Sequence, residues 1–331
     1  MASPYERDAK FEDSLRPASF DEFIGQRKIR ENLQVAIKAA RKRKEALDHV
    51  LFSGLPGLGK TTLARIIAFE MKARLHTTLG PILKRPGDLV GTLTKMEEGD
   101  ILFIDECHRM PPEVEEFLYS AMEDFSVSIS MESGLQGRTI NLALKRFTLV
   151  GATTREGLLS EPFRARFGIL EKLEWYPEGD LVRILTRSAK ILGTEIDEES
   201  AALLASRARG TPRIANRYLR RVRDLAQVKA GNRIARGVAL EALRMLGVDD
   251  AGLEETDRRI LRALVTQNAP LGLKTLAVSV GEEEGTIEEV YEPYLIQNNF
   301  LVRTSRGRKA TEKAAKHLGA ESAKEEQGRL F

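Results

Sequence analysis

The chain has 331 residues, 42% hydrophobic and 31% charged, a balance that excludes wholesale disorder and, at about 100–200 residues per domain, suggests two or three domains. No run approaches the roughly 18 apolar residues of a membrane span, and the N-terminus lacks a signal-peptide core, so a cytoplasmic chain with no membrane contact is expected. A net charge of +3 decides little, while the single cysteine, Cys107, excludes a disulfide scaffold or a zinc finger.

From Gln26 to Leu47 the apolar residues Ile29, Leu33, Ala36, Ile37 and Ala40 keep helical spacing under a basic outer face. His49–Ser53 is a short apolar run entering a glycine-rich loop and predicts a buried strand. A helix follows from about Lys60 to Lys72, with Leu63, Ile66, Ile67 and Met71 inward. Ile101–Ile104 predicts a second buried strand, and Pro111-Pro112 opens a helix through Met122, where proline fits the first turn. Next, Phe125, Val127, Ile129 and Met131 alternate with serines, SGLQG turns, and RTINLAL returns with the same period, a β-hairpin over about 125–144. It could lie within the sheet, but its simple alternation and glycine turn fit better with a protruding ribbon. Phe147–Thr154 predicts a third buried strand, and strands alternating with helices predict a parallel α/β sheet.

After Tyr176-Pro177 only helical periodicity remains up to about Leu246, in four short helices, and Asp249–Gly252 reads as a hinge. Three short helical stretches follow, then FLVRTSRGRKAT, a strand–turn–strand with a basic tip. Charge is segregated: Arg207–Arg236 holds ten basic residues and one acid, Asp224, whereas Gly281–Glu292 holds six glutamates.

Gly54–Thr61, GLPGLGKT, satisfies G-x-x-x-x-G-K-[ST] between a predicted strand and a predicted helix. Glycines let backbone N–H groups converge on phosphate oxygens, and the helix N-terminus adds positive potential. In that setting Lys60 reaches the β- and γ-phosphates and the Thr61 hydroxyl ligates Mg²⁺. Asp105 and Glu106 end the second strand at the edge where a phosphate-loop sheet places Mg²⁺ and the attacking water, so Asp105 is expected to orient Mg²⁺ and Glu106 to act as general base. Cys107 and His108 are read as packing and surface rather than as a metal or nucleophile pair.

LRPASFDEFIGQ (Leu15–Gln26), GLPGLGKTTLA, FIDECHRM, GATTREGLLSEPFRARFGI (Gly151–Ile169), GTPRIANRYLRRVRD (Gly210–Asp224) and YEPYLIQNNFLVRTSRGRKAT (Tyr291–Thr311) together resemble the RuvB family of AAA+ ATPases. The resemblance runs from about residue 15 to 311. It departs at Leu55, where the family usually has a second proline, and at Cys107, where it usually has an aliphatic residue. It implies an AAA+ P-loop core over 1–179, a helical lid over 180–250 and a winged-helix domain over 251–331. The implied activity is ATP hydrolysis driving Holliday-junction branch migration in recombination, DNA repair and the SOS response.

Carried over by position, the resemblance makes Thr154 sensor 1 and Arg213 sensor 2, and makes Arg166 an arginine finger toward a neighbouring subunit, with Arg164 a close competitor. It sets Leu15, Arg16, Ile24 and Tyr176 around adenine and ribose, and Gly57, Leu58, Gly59, Lys60, Thr61 and Thr62 at the phosphates. Glu123, Asp124 and Phe125 lie in a segment near the nucleotide, and Asp105 holds Mg²⁺ through water. Arg303 and Arg308 hold DNA phosphates, with Arg306 a further candidate, while the glutamate-rich helix around Glu288 faces solvent. The implied partners are duplex DNA at four-way junctions, RuvA through the hairpin, a RuvC-type resolvase in the wider complex, and copies of the chain itself in a hexameric ring. The rival within the same class is a clamp-loader subunit, which would end in a helical collar. A nucleotide-gated transcription regulator is a rival of another class, but a pure switch needs no Glu106.

Overall fold

The computed structural model describes residues 11–131, 138–267 and 269–319. Two compact units divide between Tyr176 and Pro177. In the first, the chain forms β1 (Val50–Ser53), β2 (Leu75–Leu79), β3 (Ile101–Asp105), β4 (Ser126–Met131), β5 (Arg138–Ala143), β6 (Thr148–Thr153) and β7 (Ile169–Lys172). Five of these make one parallel sheet in the order β2-β3-β6-β1-β7, and β4 and β5 pair antiparallel as a separate ribbon.

The three central strands are the apolar runs that the sequence predicts. β1 and β6 are buried along their whole length and β3 up to Asp105, as a parallel sheet covered on both faces requires. The edge strands β2 and β7, LHTTL and ILEK, are half-exposed and carry no apolar run, which is why sequence reading passes over them. Helix Pro112–Glu123 seals one face by packing Val114, Leu118, Ala121 and Met122 with Leu51, Leu102 and Ile104.

The ribbon is core at its base and exposed farther out. Val127 is buried and its cross-strand partner Leu142 packs on the same core, whereas Ile140 is 42% exposed. The tip, 132–137, and the side chains of Ile129 and Met131 lie outside the described residues.

In the second unit, helices Glu178–Ile191, Glu198–Arg207, Pro212–Lys229 and Arg236–Met245 are the four that the periodicity predicts. They are followed by helices Glu255–Gln267 and Leu273–Val280 and a helical stretch up to Gln297. Strands Leu301–Thr304 and Gly307–Ala310 then pair antiparallel as the wing. Gly307, at φ 130°, lies against Leu271, whose carbonyl oxygen would be 2.2 Å from any added Cβ, so only glycine fits this bridge.

Asp249–Gly252 is tied down rather than hinged. The Asp249 carboxylate accepts from the N–H groups of Ala251 and Leu253 and pairs with Arg258 and His317. Beside it, buried Arg209 donates to both oxygens of fully buried Asp257, at 3.3 and 2.5 Å, and to the Gly252 carbonyl at 2.8 Å. Pairs made between residues some fifty positions apart leave no local periodicity, so the glycine and the acids read as a linker.

Candidate active site and nucleic-acid interface

The loop after β1 turns at Gly54, φ 136°, where an added Cβ would stand 2.8 Å from the Leu173 carbonyl oxygen. Gly57 and Gly59 also take positive φ. This backbone and the N-terminus of helix Lys60–Met71 form an anion cradle. Lys60 is buried in it, with Nζ donating to the carbonyls of Gly54 at 2.6 Å and Leu55 at 3.0 Å.

Across the cradle, Thr61 Oγ1 donates to Asp105 Oδ2 at 3.1 Å, and the Glu106 N–H donates to Asp105 Oδ1 at 3.0 Å. Glu106 ends β3 in the left-handed region, φ 49°. Its Oε2 accepts from Thr154 Oγ1 at 3.0 Å and stands 3.3 Å from His108 Nδ1, which is itself 3.0 Å from Thr153 Oγ1. Among the described residues no lysine or arginine pairs with either acid, so hydroxyls and an imidazole orient the two carboxylates without cancelling their charge.

His108 corrects the expectation of packing and surface: its buried side chain is hydrogen-bonded to Thr153 and stands against the Glu106 carboxylate, an arrangement to which sequence spacing gives no clue. Cys107 does pack in the core cluster, and burial pushes its thiol far above the ordinary value, which makes it inert.

On the other side of the loop, the Tyr176 hydroxyl donates to the Leu58 carbonyl at 3.1 Å. The Phe23 ring and the Tyr176 hydroxyl lie 3.4 and 3.7 Å from where a Gly59 Cβ would be. Leu15 is buried, Arg16 pairs with Asp13 at 2.8 Å, Ile24 is half-buried, and Thr62 lies on the first turn of helix Lys60–Met71. Phe23 goes unremarked in the sequence, where the only signal is the helical spacing of Phe20, Phe23 and Ile24.

Arg166 caps the short helix Glu161–Ala165. It donates to the Pro162 carbonyl at 2.8 Å and to Glu123 Oε2 at 2.9 Å, and its guanidinium lies 4.4 Å from the Tyr119 ring centre. Arg164, on the same helix, is half-buried. Glu123 therefore belongs with the candidate finger, and Asp124 is exposed. The Phe125 ring packs against Phe147 and His49 beneath Arg146, so its side chain is committed to the core. Arg213 is exposed on the first turn of helix Pro212–Lys229 in the second unit.

The wing also differs from expectation. Glu288 does not simply face solvent, because it pairs with Arg308 at 2.7 Å and approaches Arg303 at 3.6 Å. Glu292, fully buried, accepts from Nε of Arg308 at 2.6 Å and from Nε of Arg303 at 2.7 Å. Burial works against the Arg308 charge, but its hydrogen bonds and charge attraction to Glu292 and Glu288 together outweigh that, so its pKa stands above the ordinary value. Arg306 and Lys309 are exposed beside this cluster.

Comparison with known proteins places these features in one family. Residues 15–173 match the model of the Holliday junction DNA helicase RuvB P-loop domain, 176–249 that of the RuvB AAA lid domain, and 250–319 that of the RuvB C-terminal winged helix domain. The Holliday junction branch migration complex subunit RuvB of Kosmotoga olearia is 54% identical over 308 residues, which span 92% of this chain and 90% of that one. Its namesake in Flavobacterium johnsoniae is 55% identical over 310 residues, spanning 93% and 91%. The solved Thermotoga maritima RuvB Holliday junction branch migration motor superposes with a TM-score of 0.84 at 49% identity, covering 92% of this chain and 98% of that one. Among the described residues no helix is long and apolar enough to cross a membrane.

Proposed function

The chain belongs to the RuvB family, and from that premise we propose that it is an ATP-driven motor that moves duplex DNA through Holliday junctions during recombination and repair. The observation that carries this reading is the meeting, at one sheet edge, of a phosphate cradle, two carboxylates that pair with no lysine or arginine among the described residues, and the Thr154 hydroxyl.

ATP binds with its phosphates on the loop backbone, and Lys60 turns from the loop carbonyls to the β- and γ-phosphates. Thr61 and Asp105 offer two oxygen donors 3.1 Å apart, a set that suits Mg²⁺ held mainly by phosphates and water. Bound there, with Asp105 acting through water, the ion supplies charge neutralisation at the transferring phosphoryl group. Glu106 takes the proton of the attacking water, and Thr154, hydrogen-bonded to Glu106, fixes where that water sits. Leu15, Arg16, Ile24, Tyr176 and Phe23 surround the adenine and ribose. Arg213 reaches the nucleotide of its own subunit and Arg166 that of the next, and the segment Glu123, Asp124 and Phe125 lies near the nucleotide.

A head-to-tail contact of this kind is heterologous and closes into a ring, here a hexamer around duplex DNA in the bacterial cytoplasm. RuvA docks on the 125–144 ribbon, and a RuvC-type resolvase joins the wider complex. The chain works as a core over 1–179, a lid over 180–250 and a winged helix over 251–331. The last of these grips DNA phosphates through Arg303 and Arg308, with Arg306 beside them, without reading sequence. The match of residues 250–319 to a winged-helix model, where a clamp-loader subunit would carry a helical collar, favours the motor.

The test is ATP hydrolysis and junction movement with and without a four-way junction and RuvA, alongside native mass. Stimulated hydrolysis coupled to strand movement is expected. Hydrolysis indifferent to the junction, with no strand movement, contradicts the reading.

A further inference from the structure

Arg303 and Arg308 stand directly opposite each other on the antiparallel wing strands. Like charges in that position repel and destabilise a sheet. The chain answers with a helix beneath them. Pro293 has no N–H to give, and its ring crowds the carbonyl four residues back. The backbone widens there into the π-type turn Ile287–Tyr291 before helix Glu292–Gln297 resumes. Glu288 and Glu292, four residues apart, thereby share one face and both meet the wing arginines.

The two acids are not equivalent. Glu292 is fully buried, and each of its oxygens takes the Nε of a different arginine, at 2.6 and 2.7 Å. Glu288 is 29% exposed and meets the two arginines at their outer nitrogens. The arginines differ too: Arg308 is 14% exposed and Arg303 51%. A buried carboxylate that holds both Nε edges fixes the plane and direction of both guanidinium groups, and Nη1 of each has no hydrogen-bond partner among the described residues.

We infer that Glu292 is the positioning residue of the DNA grip: it locks the paired wing arginines into one orientation so that their remaining N–H groups meet a phosphate already ordered, while Glu288 screens them from outside. This rests on the proposed role of Arg303 and Arg308 at DNA. The two arginines and two glutamates sum to zero charge, so the cluster gains from its order rather than from a surplus of positive field. Charge and geometry therefore predict opposite signs for loss of Glu292. Removing a negative group beside DNA tightens binding by Coulomb attraction alone, whereas releasing two ordered arginines weakens it, since immobilising long side chains on binding is costly.

The experiment titrates the full-length protein with a mixed-sequence duplex at fixed salt, with thermal melting of every variant. Glu292→Gln turns an N–H toward one arginine Nε and should weaken DNA binding about tenfold, whereas Glu288→Gln should leave it unchanged or tighter. In a background carrying Arg303→Ala and Arg308→Ala, Glu292→Gln should change binding by less than about twofold, because the groups it acts through are gone. A loss caused only by general destabilisation would persist in that background. If Glu292→Gln does not fold, Arg303→Lys keeps the charge without the planar fork, and it should bind DNA as weakly as Arg303→Ala. Binding by Glu292→Gln as tight as the parent's or tighter, or full affinity in Arg303→Lys, overturns the inference. If the double arginine variant itself binds DNA like the parent, the DNA role of the wing fails instead, and the two failures are distinct.

Discussion

Asp105 and Glu106 at the end of β3, and Glu288 and Glu292 beneath the wing, are two pairs of acids in opposite company. The first pair is hydrogen-bonded to Thr61 and Thr154, stands beside His108 and, among the described residues, pairs with no lysine or arginine. The second is spent on Arg303 and Arg308. Polar but mostly uncharged partners hold a carboxylate in place and leave its charge for an ion or a water proton. Guanidinium partners cancel the charge and leave only geometry. A role therefore follows from what an acid touches more than from its presence in a motif, and the rest of the molecule offers ways to press the point.

Arg166 is the strongest case. Its partner Glu123 is 65% exposed, and an ion pair open to water is worth little, so this arginine can leave for a neighbour's phosphate. Arg166→Ala should bind ATP nearly as the parent does and hydrolyse it about 10³–10⁵ times more slowly. Mixed with Lys60→Ala under conditions of subunit exchange, it should regain phosphate release, because Lys60→Ala chains still offer Arg166. No regain at any ratio, with exchange confirmed, shifts the finger to Arg164 or out of the site.

Asp257 is the opposite extreme, an acid sealed against Arg209. Asp257→Asn strands a buried guanidinium and should cost about 3–5 kcal/mol, read as a lower denaturant midpoint. A loss under 1 kcal/mol would mean that water already reaches the pair.

The ribbon repeats the contrast in apolar terms. Val127→Ala should cost about 2 kcal/mol because the side chain is core. Ile140→Ser should stay within about 0.5 kcal/mol of the parent yet lose RuvA-stimulated hydrolysis, since an exposed apolar strand is what a partner would cover. Unchanged stimulation in Ile140→Ser removes that residue from the docking surface.

The smallest effect is expected at Asp249. Burial works against its charge, but hydrogen bonds from His317 and the Leu253 N–H outweigh it, and its pKa lies below the ordinary 3.8. A carboxylate depressed in the folded state contributes stability above its unfolded value and loses it as pH falls through the folded one. Asp249→Asn should lower the melting temperature by a few degrees at pH 7 and flatten the acid decline below about pH 4. An acid decline parallel to the parent's would contradict the assignment.

The phosphate loop, Asp105, Glu106 and the three central strands were legible because each is a local signal: a fixed spacing, or an apolar run bounded by glycine. The edge strands β2 and β7 were not, since half-exposed residues carry no run. Arg209 with Asp257, Glu292 with the wing, and His108 with Glu106 were hidden for another reason. The first two join residues 48 and 11–16 positions apart, and the third needs the left-handed turn at Glu106 to bring near neighbours face to face. Segregated charge marked the wing as basic without showing that its glutamates were the other half of the cluster.

The most direct measurement is ATP turnover of Glu106→Gln, with nucleotide binding measured on the same sample. The substitution keeps the size of the side chain and an oxygen that can accept from Thr154, and removes only the group that takes the water proton. Binding should match the parent, while phosphate release, with or without a four-way junction, falls by about 10²–10⁴ and strand movement stops. Turnover near the parent rate would show that Glu106 at the end of β3 is not the base and that this site is not the source of the motor's work.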